Sequence, residues 1–353
     1  MSDSEINEET VLAALKDVKF PGFQRDIVSF GFVKEIRTVN RDVAVLLAVR
    51  SSREGAAEQI LAEARARLQS MPGVDQVRVQ LETTTPPTTT VNTVANKKGL
   101  PGVRRIIAVA SGKGGVGKST IATNLACALS EQGAAVGLCD LDIYGPSVAL
   151  MMGNRDELVQ SPENKILPAR CYGMAFVSMG LVLEGSAPAL LRGPMVTRIT
   201  QQFLQEVDWG RLDYLVLDLP PGTGDVQITV AQTLAVDGVV LVTTPQEVAL
   251  SDVRKAATMF HKVNTPIVGL IENMSYFLCP NDGNRYHIFG EGGGKREAQR
   301  LQVPLLAEVP IELGVSQAGD RGKPIVISDP SSASAMALYA AAENLKKALS
   351  EHA

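Results

Sequence analysis

The feature that most restricts this chain is an apolar run that breaks into glycine and resumes at once with helical period, "RIIAVASGKGGVGKSTIATNLACAL" from Arg105 to Leu129. Strand, tight turn and helix in direct succession are the opening of a βαβ unit, and that unit belongs to parallel sheets. Gly112, Gly117, Lys118 and Ser119 fit G-x-x-x-x-G-K-[ST]. Glycines let backbone N–H groups approach a phosphate, the lysine neutralises the outer oxygens, and the hydroxyl serves magnesium. Gly112, Gly114 and Gly117 also spell the dinucleotide pattern G-x-G-x-x-G, with Asp140 ending the next apolar run where a ribose carboxylate would stand. Lys118 and Ser119 decide between the two, because a cation and a hydroxyl opening the helix suit a magnesium triphosphate and a dinucleotide needs neither. A second element agrees: "YLVLDLPPGTGD" is an apolar strand ending in Asp218, the place of the acidic residue of the magnesium shell. The plain alternative is a glycine turn with structural duties alone.

The alternation continues beyond the loop. Apolar runs at "AAVGLCDLD", "MAFVSMG", "YLVLDLP", "GVVLVTTP", "PIVGLIENM" and "PLLAEVP" are mostly separated by segments of helical period such as "SDVRKAATMFHKVN". Runs without polar alternation are strands buried on both faces, so the fold class is α/β, a doubly wound, mostly parallel sheet. Ahead of it, helical patterns at Thr10 to Val18 and Gly55 to Ser70 are interleaved with strand-like segments around Ile27 to Ile36, Val43 to Val49 and "VDQVRVQL". That order predicts a small α+β domain. Between the two, "LETTTPPTTTVNTVANKKGLPG" is Thr-rich and Pro-interrupted, the composition of a linker. The expected organisation is an α+β domain at 1–82, a linker at 83–100 and the phosphate-loop domain at 101–353.

With 353 residues, a second domain is the natural expectation. A net charge of -4 argues against nucleic acid or an acidic membrane as partner. The acidic start "MSDSEINEETVLAALKDV" does not read as a secretory signal, and no apolar run is long enough to span a bilayer. Four scattered cysteines (Cys127, Cys139, Cys171, Cys279) make no disulfide framework and point to a reducing, cytoplasmic location.

Lys113, just after the first glycine of "GKGGVGKST", resembles the extra lysine of the deviant phosphate loop in the ParA/MinD class. Together with "CDLDIYGPS", "LRGPM", "WGRLDYLVLDLPPGTGD", "VTTPQEVALSDVRKA" and "GLIENMSYF", the chain from Arg104 to Leu349 resembles the Mrp family of ATP-dependent iron-sulfur cluster carriers. "DIVSFGFVKEI" and "LQSMPGVDQVRVQLE" make the front segment similar to a PaaD-like cluster-assembly domain.

The resemblance implies a slow ATPase working as a homodimer. Amides of Gly114, Gly115, Val116, Gly117 and Lys118 would cradle the phosphates of ATP, with Lys118 on the outer ones, Ser119 on Mg2+, Thr120 on the inner phosphate and Lys113 acting across the dimer. Asp140 and Asp142 resemble the first switch segment; either positions water or joins the magnesium shell. Asp218 would complete that shell, Gly222 would sense the γ-phosphate through its amide, and Asn273 resembles the base-reading asparagine. Partners would be a cluster donor and recipient apoproteins.

Two places depart from the family. Where the front domain typically has a cysteine, this chain has "VRSSREGAAEQI". Where the carriers have C-P-x-C, it has Cys279, Pro280, Asn281 and Asp282. In the family, two thiolates from each subunit hold a [4Fe-4S] cluster; here each subunit would offer one thiolate and one harder, weaker carboxylate ligand. Asp282 equally suits a tight hairpin turn between "SYFL" and "RYHIF", and a nucleotide-gated scaffold that has lost cluster binding is the alternative reading. His287 is set aside as an ordinary strand residue, Cys127 and Cys139 read as small buried apolar groups, and Cys171 has no assignment.

Overall fold

The computed structural model describes residues 7–19, 26–29, 31–39, 41–47, 56–81, 97–154, 158–161, 165–182, 200 and 204–351. The chain divides into two compact units, 1–94 and 95–353.

In the first unit, three strands lie in the order Val33–Val39, Asp42–Leu47, Gln76–Leu81. The first pair is antiparallel and the second parallel. A parallel pair needs a crossover, and helix Ala56–Gln69 supplies it. Strand Asp42–Leu47 alternates its burial, so Val43, Val45 and Leu47 face Ile60, Ala64 and Leu68 of that helix and Val11 and Leu15 of helix Glu8–Leu15. Asn7 caps the latter by accepting from the Thr10 amide at 2.9 Å, while Thr10 Oγ1 accepts from the Asn7 amide. Most of "VRSSREGA", where the family's cysteine is missing, lies outside the described residues.

The second unit is an eight-stranded sheet in the order Leu305–Glu308, Ile267–Glu272, Gly238–Thr243, Val103–Ser111, Leu212–Asp218, Val136–Asp140, Met174–Ser178, Ala169–Cys171. All seven expected runs are present as parallel neighbours. The eighth, Ala169–Cys171, is an antiparallel edge of three residues, too short to show a period, and returns through a turn with positive φ at Tyr172 and Gly173. Alternate residues divide between two cores. Ile107, Val109, Leu138 and Val216 pack with helices Lys118–Glu131 and Ala333–Glu351, whereas Ile106, Ala108, Ala110 and Leu217 pack with Asp225–Thr233 and Glu247–Lys262.

One topological fact positions the site. Strand Leu212–Asp218 is inserted between Val103–Ser111 and Val136–Asp140, so Asp218 pairs in register with Val109 on one side and Asp140 on the other. The carboxyl ends of these three strands converge where the sheet's connections switch direction, the usual place for a ligand in such sheets.

Residues 97–100, which the sequence reading assigns to the linker, are bound to the second unit. Lys97 Nζ donates to the carbonyls of Val263 and Asn264, both at 3.0 Å, and Lys98 bridges to Leu234. Among the described residues no helix is long and apolar enough to cross a membrane.

Candidate functional site

The glycine loop runs from the end of strand Val103–Ser111 into helix Lys118–Glu131. Gly115 and Gly117 have φ of 81° and 79°, a region that side chains disfavour, so glycine is required there by the backbone itself. Gly112 has a different reason. A methyl group there would lie 2.1 Å from the Asp252 carbonyl carbon, so this glycine lets helix Glu247–Lys262 pack against the loop. Gly114 is exposed, with Pro221 side-chain atoms 4.0 Å from where its Cβ would be. Val116 is buried, and its carbonyl accepts from Asn273 Nδ2 at 2.9 Å. Asn273 therefore holds the loop as well as standing beside it.

Lys118 Nζ lies 2.5 Å from Asp218 Oδ1 and 3.2 Å from Ser119 Oγ. Asp218 is fully buried, and among the described residues its Oδ2 has no hydrogen-bond partner. A buried carboxylate oxygen left without a donor beside a serine hydroxyl is suited to a cation, so the residues present fit a magnesium ion. Burial pushes the Asp218 carboxyl upward in pKa, and Lys118 opposes that shift. Lys113 is half-buried and makes no ion pair among the described residues, while its carbonyl accepts from Ser111 Oγ at 2.9 Å.

The acidic pair divides in environment. Asp140 is fully buried and accepts from the Asp142 amide at 3.0 Å, the Ser147 and Val148 amides at 3.2 Å and the Ser178 hydroxyl at 2.9 Å. Burial first, and then the Asp218 carboxylate, push its pKa up to about 7. Asp142 is half-buried; one oxygen accepts from the Gly145 amide at 3.2 Å, and the side chain lines a cavity of about 260 Å³ with Pro221, Asp225 and Gln227. Gly222, at φ 91°, donates its amide to the Ser111 carbonyl at 3.0 Å.

A larger cavity, about 580 Å³, opens beside Gly117, Thr120 and Asn273 and is walled by Phe289, Ile311 and Val315. Apolar walls around a few polar groups suit a planar, largely apolar ring system.

Cys279 and Asp282 sit in the expected hairpin, whose strands Phe277–Leu278 and Arg285–Tyr286 pair antiparallel. Asp282 Oδ1 accepts from the Asn284 amide at 2.9 Å and Oδ2 from the Tyr286 hydroxyl at 2.7 Å. The Tyr286 hydroxyl, then the Asn284 amide, hold the exposed carboxyl down at about 2. Asp282 thus has the turn duty its sequence allowed. Each oxygen keeps a further lone pair. Cys279 is half-buried. His287 follows the hairpin, with its ring 6.3 Å from that of Tyr276. Among the described residues no group of three His, Cys, Asp or Glu side chains is arranged to hold a metal ion.

Residues 102–346 match the family described as NUBPL iron-transfer P-loop NTPase, and residues 8–81 match one described as iron-sulfur cluster assembly protein. The chain belongs to the NUBPL iron-transfer P-loop NTPase family. Within it, an iron-sulfur cluster carrier protein of Synechocystis is 41% identical over 96% of this chain and 97% of its own. The mouse iron-sulfur cluster transfer protein NUBPL is 49% identical over 71% of this chain and 80% of its own. A nucleotide-binding protein from Archaeoglobus fulgidus, solved with ADP, superimposes with a TM-score of 0.56 at 38% identity, covering 63% of this chain and 87% of that one. Pyrococcus furiosus MinD shares the fold, with a TM-score of 0.52.

Against that family background, the fold brings together every loop residue expected from the sequence, with Asp140, Asp142, Asp218, Gly222 and Asn273 around them, and sets Cys279 and Asp282 apart on the hairpin. The "LRGPM" block lies outside the described residues. Gln227 escaped the sequence reading. It is 1% exposed, and its Nε2 donates into the Pro220–Gly222 turn. A glutamine one turn into a helix is ordinary surface chemistry in a sequence, and only its burial marks it.

Cys127 and Cys139 are fully buried, as expected. Burial, and then Glu131, push the Cys127 thiol up to about 12; burial, and then Asp140, push Cys139 upward. Cys171 ends the edge strand, half-buried, with Asn154 Nδ2 3.7 Å from its sulfur.

Proposed function

We propose that the chain is an ATP-dependent iron-sulfur cluster carrier: a homodimer that binds and slowly hydrolyses ATP and passes a cluster from a donor to apoproteins in the cytoplasm. The observation that carries the nucleotide half is the buried Lys118–Asp218 pair with its orphaned Oδ2. Lys118 has only a carboxylate to neutralise in this arrangement, and a triphosphate's outer oxygens compete for the same ammonium. Amides from Gly114 to Lys118 lead into the start of helix Lys118–Glu131, where partial positive charge favours an anion. Ser119 Oγ and Asp218 Oδ2 would hold magnesium, which supplies charge to the outer phosphates. Thr120 opens onto the cavity beside the loop and fits the inner phosphate, while Asn273 stands at the wall where the base would lie. Catalysis is then positioning and charge neutralisation, with Lys113 directed to a second subunit's phosphates.

Of the acidic pair, Asp142 is the water-positioning candidate. Both oxygens of Asp140 are taken by four donors, and its task is to hold the 142–148 turn. Among the described residues Asp142 accepts a single side-chain hydrogen bond, from the Gly145 amide, and its side chain lines the cavity.

For the cargo, Cys279 is the thiolate ligand and Asp282 the oxygen ligand. Asp282 is ionised throughout the physiological range and already oriented by Asn284 and Tyr286. The carrier names of the relatives support this reading. A harder set of one thiolate and one carboxylate per subunit favours weak, exchangeable holding. The second reading, a nucleotide-gated scaffold without cargo, is favoured by the engagement of both Asp282 oxygens in the turn. Anaerobic reconstitution with iron and sulfide separates them: a visible charge-transfer band with matching iron and sulfide counts supports the carrier, and its absence in the ATP-binding dimer leaves the scaffold.

A further inference from the structure

We propose that Gln227 is the positioning residue that aims the Gly222 amide at the phosphate loop. This rests on the ATP reading above and extends it to a side chain in the helix beneath the turn.

Gln227 is the third residue of helix Asp225–Thr233 and is 1% exposed. Its Nε2 lies 2.6 Å from the carbonyl of Pro220 and 3.2 Å from those of Pro221 and Gly222. Three consecutive carbonyls share the two protons of one amide. A trans peptide points its C=O and its N–H to opposite sides, and this chain's described residues hold no cis bonds. With the Pro221 carbonyl held toward Gln227, the Gly222 N–H of the same plane must face away from it. It does so, donating to the carbonyl of Ser111, the residue immediately before the glycine loop. Pro220 and Pro221 have no N–H, so Gly222 provides the first donor this turn can offer.

The arrangement separates two roles a glutamine can take beside a nucleotide. Orienting attacking water by donation needs a free N–H, and the Gln227 nitrogen is committed to three carbonyls. Its effect on chemistry passes through the peptide plane. A γ-phosphate oxygen would replace the Ser111 carbonyl as acceptor, and the plane would already face it. Without the clamp the plane keeps its Ser111 bond on one side and loses its hold on the other, so the donor is no longer fixed in direction when a phosphate oxygen takes the place of Ser111. ADP lacks the oxygen in question, so the clamp matters to ATP and not to ADP.

The test compares magnesium ADP and a non-hydrolysable ATP analogue on the wild type, Gln227→Leu and Gln227→Glu, with melting temperatures. In Gln227→Leu, affinity for the analogue falls about tenfold, the worth of one hydrogen bond to a charged group, while ADP affinity stays at the wild-type level. Gln227→Glu keeps the shape; ionised, it repels the three carbonyls, and protonated it donates again. Its preference for the analogue therefore recovers as pH falls, while that of the wild type does not rise. A Leu variant that prefers the analogue as strongly as the wild type overturns the proposal, and so does an equal loss for both nucleotides together with a lowered melting temperature. A wild type that binds neither nucleotide overturns the ATP reading and this extension with it.

Discussion

Lys118 and Asp218, 100 residues apart in the chain, meet at 2.5 Å with side-chain exposures of 6% and 0%. Two adjacent strands bring the carboxylate beside the lysine at the first turn of the loop helix, and neither charge is tolerable in that position without the other.

The first prediction follows from that dependence. Lys118→Ala leaves a buried carboxylate without its cation and lowers stability by about 3 kcal/mol, as broken buried pairs do. Adding Asp218→Asn restores most of the stability in urea unfolding. Neither variant binds magnesium ATP by titration calorimetry, and normal turnover in Lys118→Ala refutes the loop assignment.

Asp140 predicts a pH dependence. Its ordinary value is 3.8, and burial raises it to about 7 in the folded chain. Below the lower value both states hold the proton and there is no penalty. Between the two, the unfolded chain releases a proton that the folded chain keeps, so stability falls as pH rises; above about 7 the full penalty applies. Asp140→Asn removes this slope, although an amide offers one acceptor oxygen where the carboxylate offers two, so the variant is weaker in absolute terms. The stability gap between wild type and variant should narrow from pH 4.5 to 8, and a gap that stays constant contradicts the raised value.

The loop glycines divide by cause. Gly112→Ala places a methyl group against the Asp252 backbone, which cannot swing aside, and should destabilise by about 1–3 kcal/mol. Gly115→Ala meets nothing within 4 Å and strains only a positive φ, at about 1 kcal/mol. Thermal melts of the two variants without nucleotide should rank them in that order.

The thiols should react unequally. Iodoacetamide at pH 8 should label half-buried Cys279 and Cys171 in the native chain, while Cys127 and Cys139 wait for denaturant. Cys279→Ser should abolish cluster loading and spare ATP binding. Asp282→Asn keeps an acceptor for the Asn284 amide yet loses the anion, so loading should weaken while the melting temperature holds. A cluster undiminished in Cys279→Ser places its ligands elsewhere.

The hairpin shows how a local sequence can carry two meanings. "CPNDGN" specifies a turn through Asp282 and Gly283, and the turn forms, with Gly283 at φ 69°. In the proposed dimer, whether the same carboxylate also ligates would depend on a second subunit's hairpin, which no local pattern describes. Residues 97–100 are the opposite case: a linker by composition, they are secured because Lys97 finds the carbonyls ending a helix 166 and 167 residues later.

By itself the sequence determined the glycine loop, the seven parallel strands and the two-part organisation, because each is a short-range pattern of conformational freedom or burial period. Tertiary structure alone decided that Asp140 is a structural acid and Asp142 an open one, that Gly112 serves a helix, and that Gln227 clamps the Pro220–Gly222 turn. Those outcomes depend on burial and on partners brought together by strand insertion and helix packing, and neither quantity is a property of any contiguous stretch of residues.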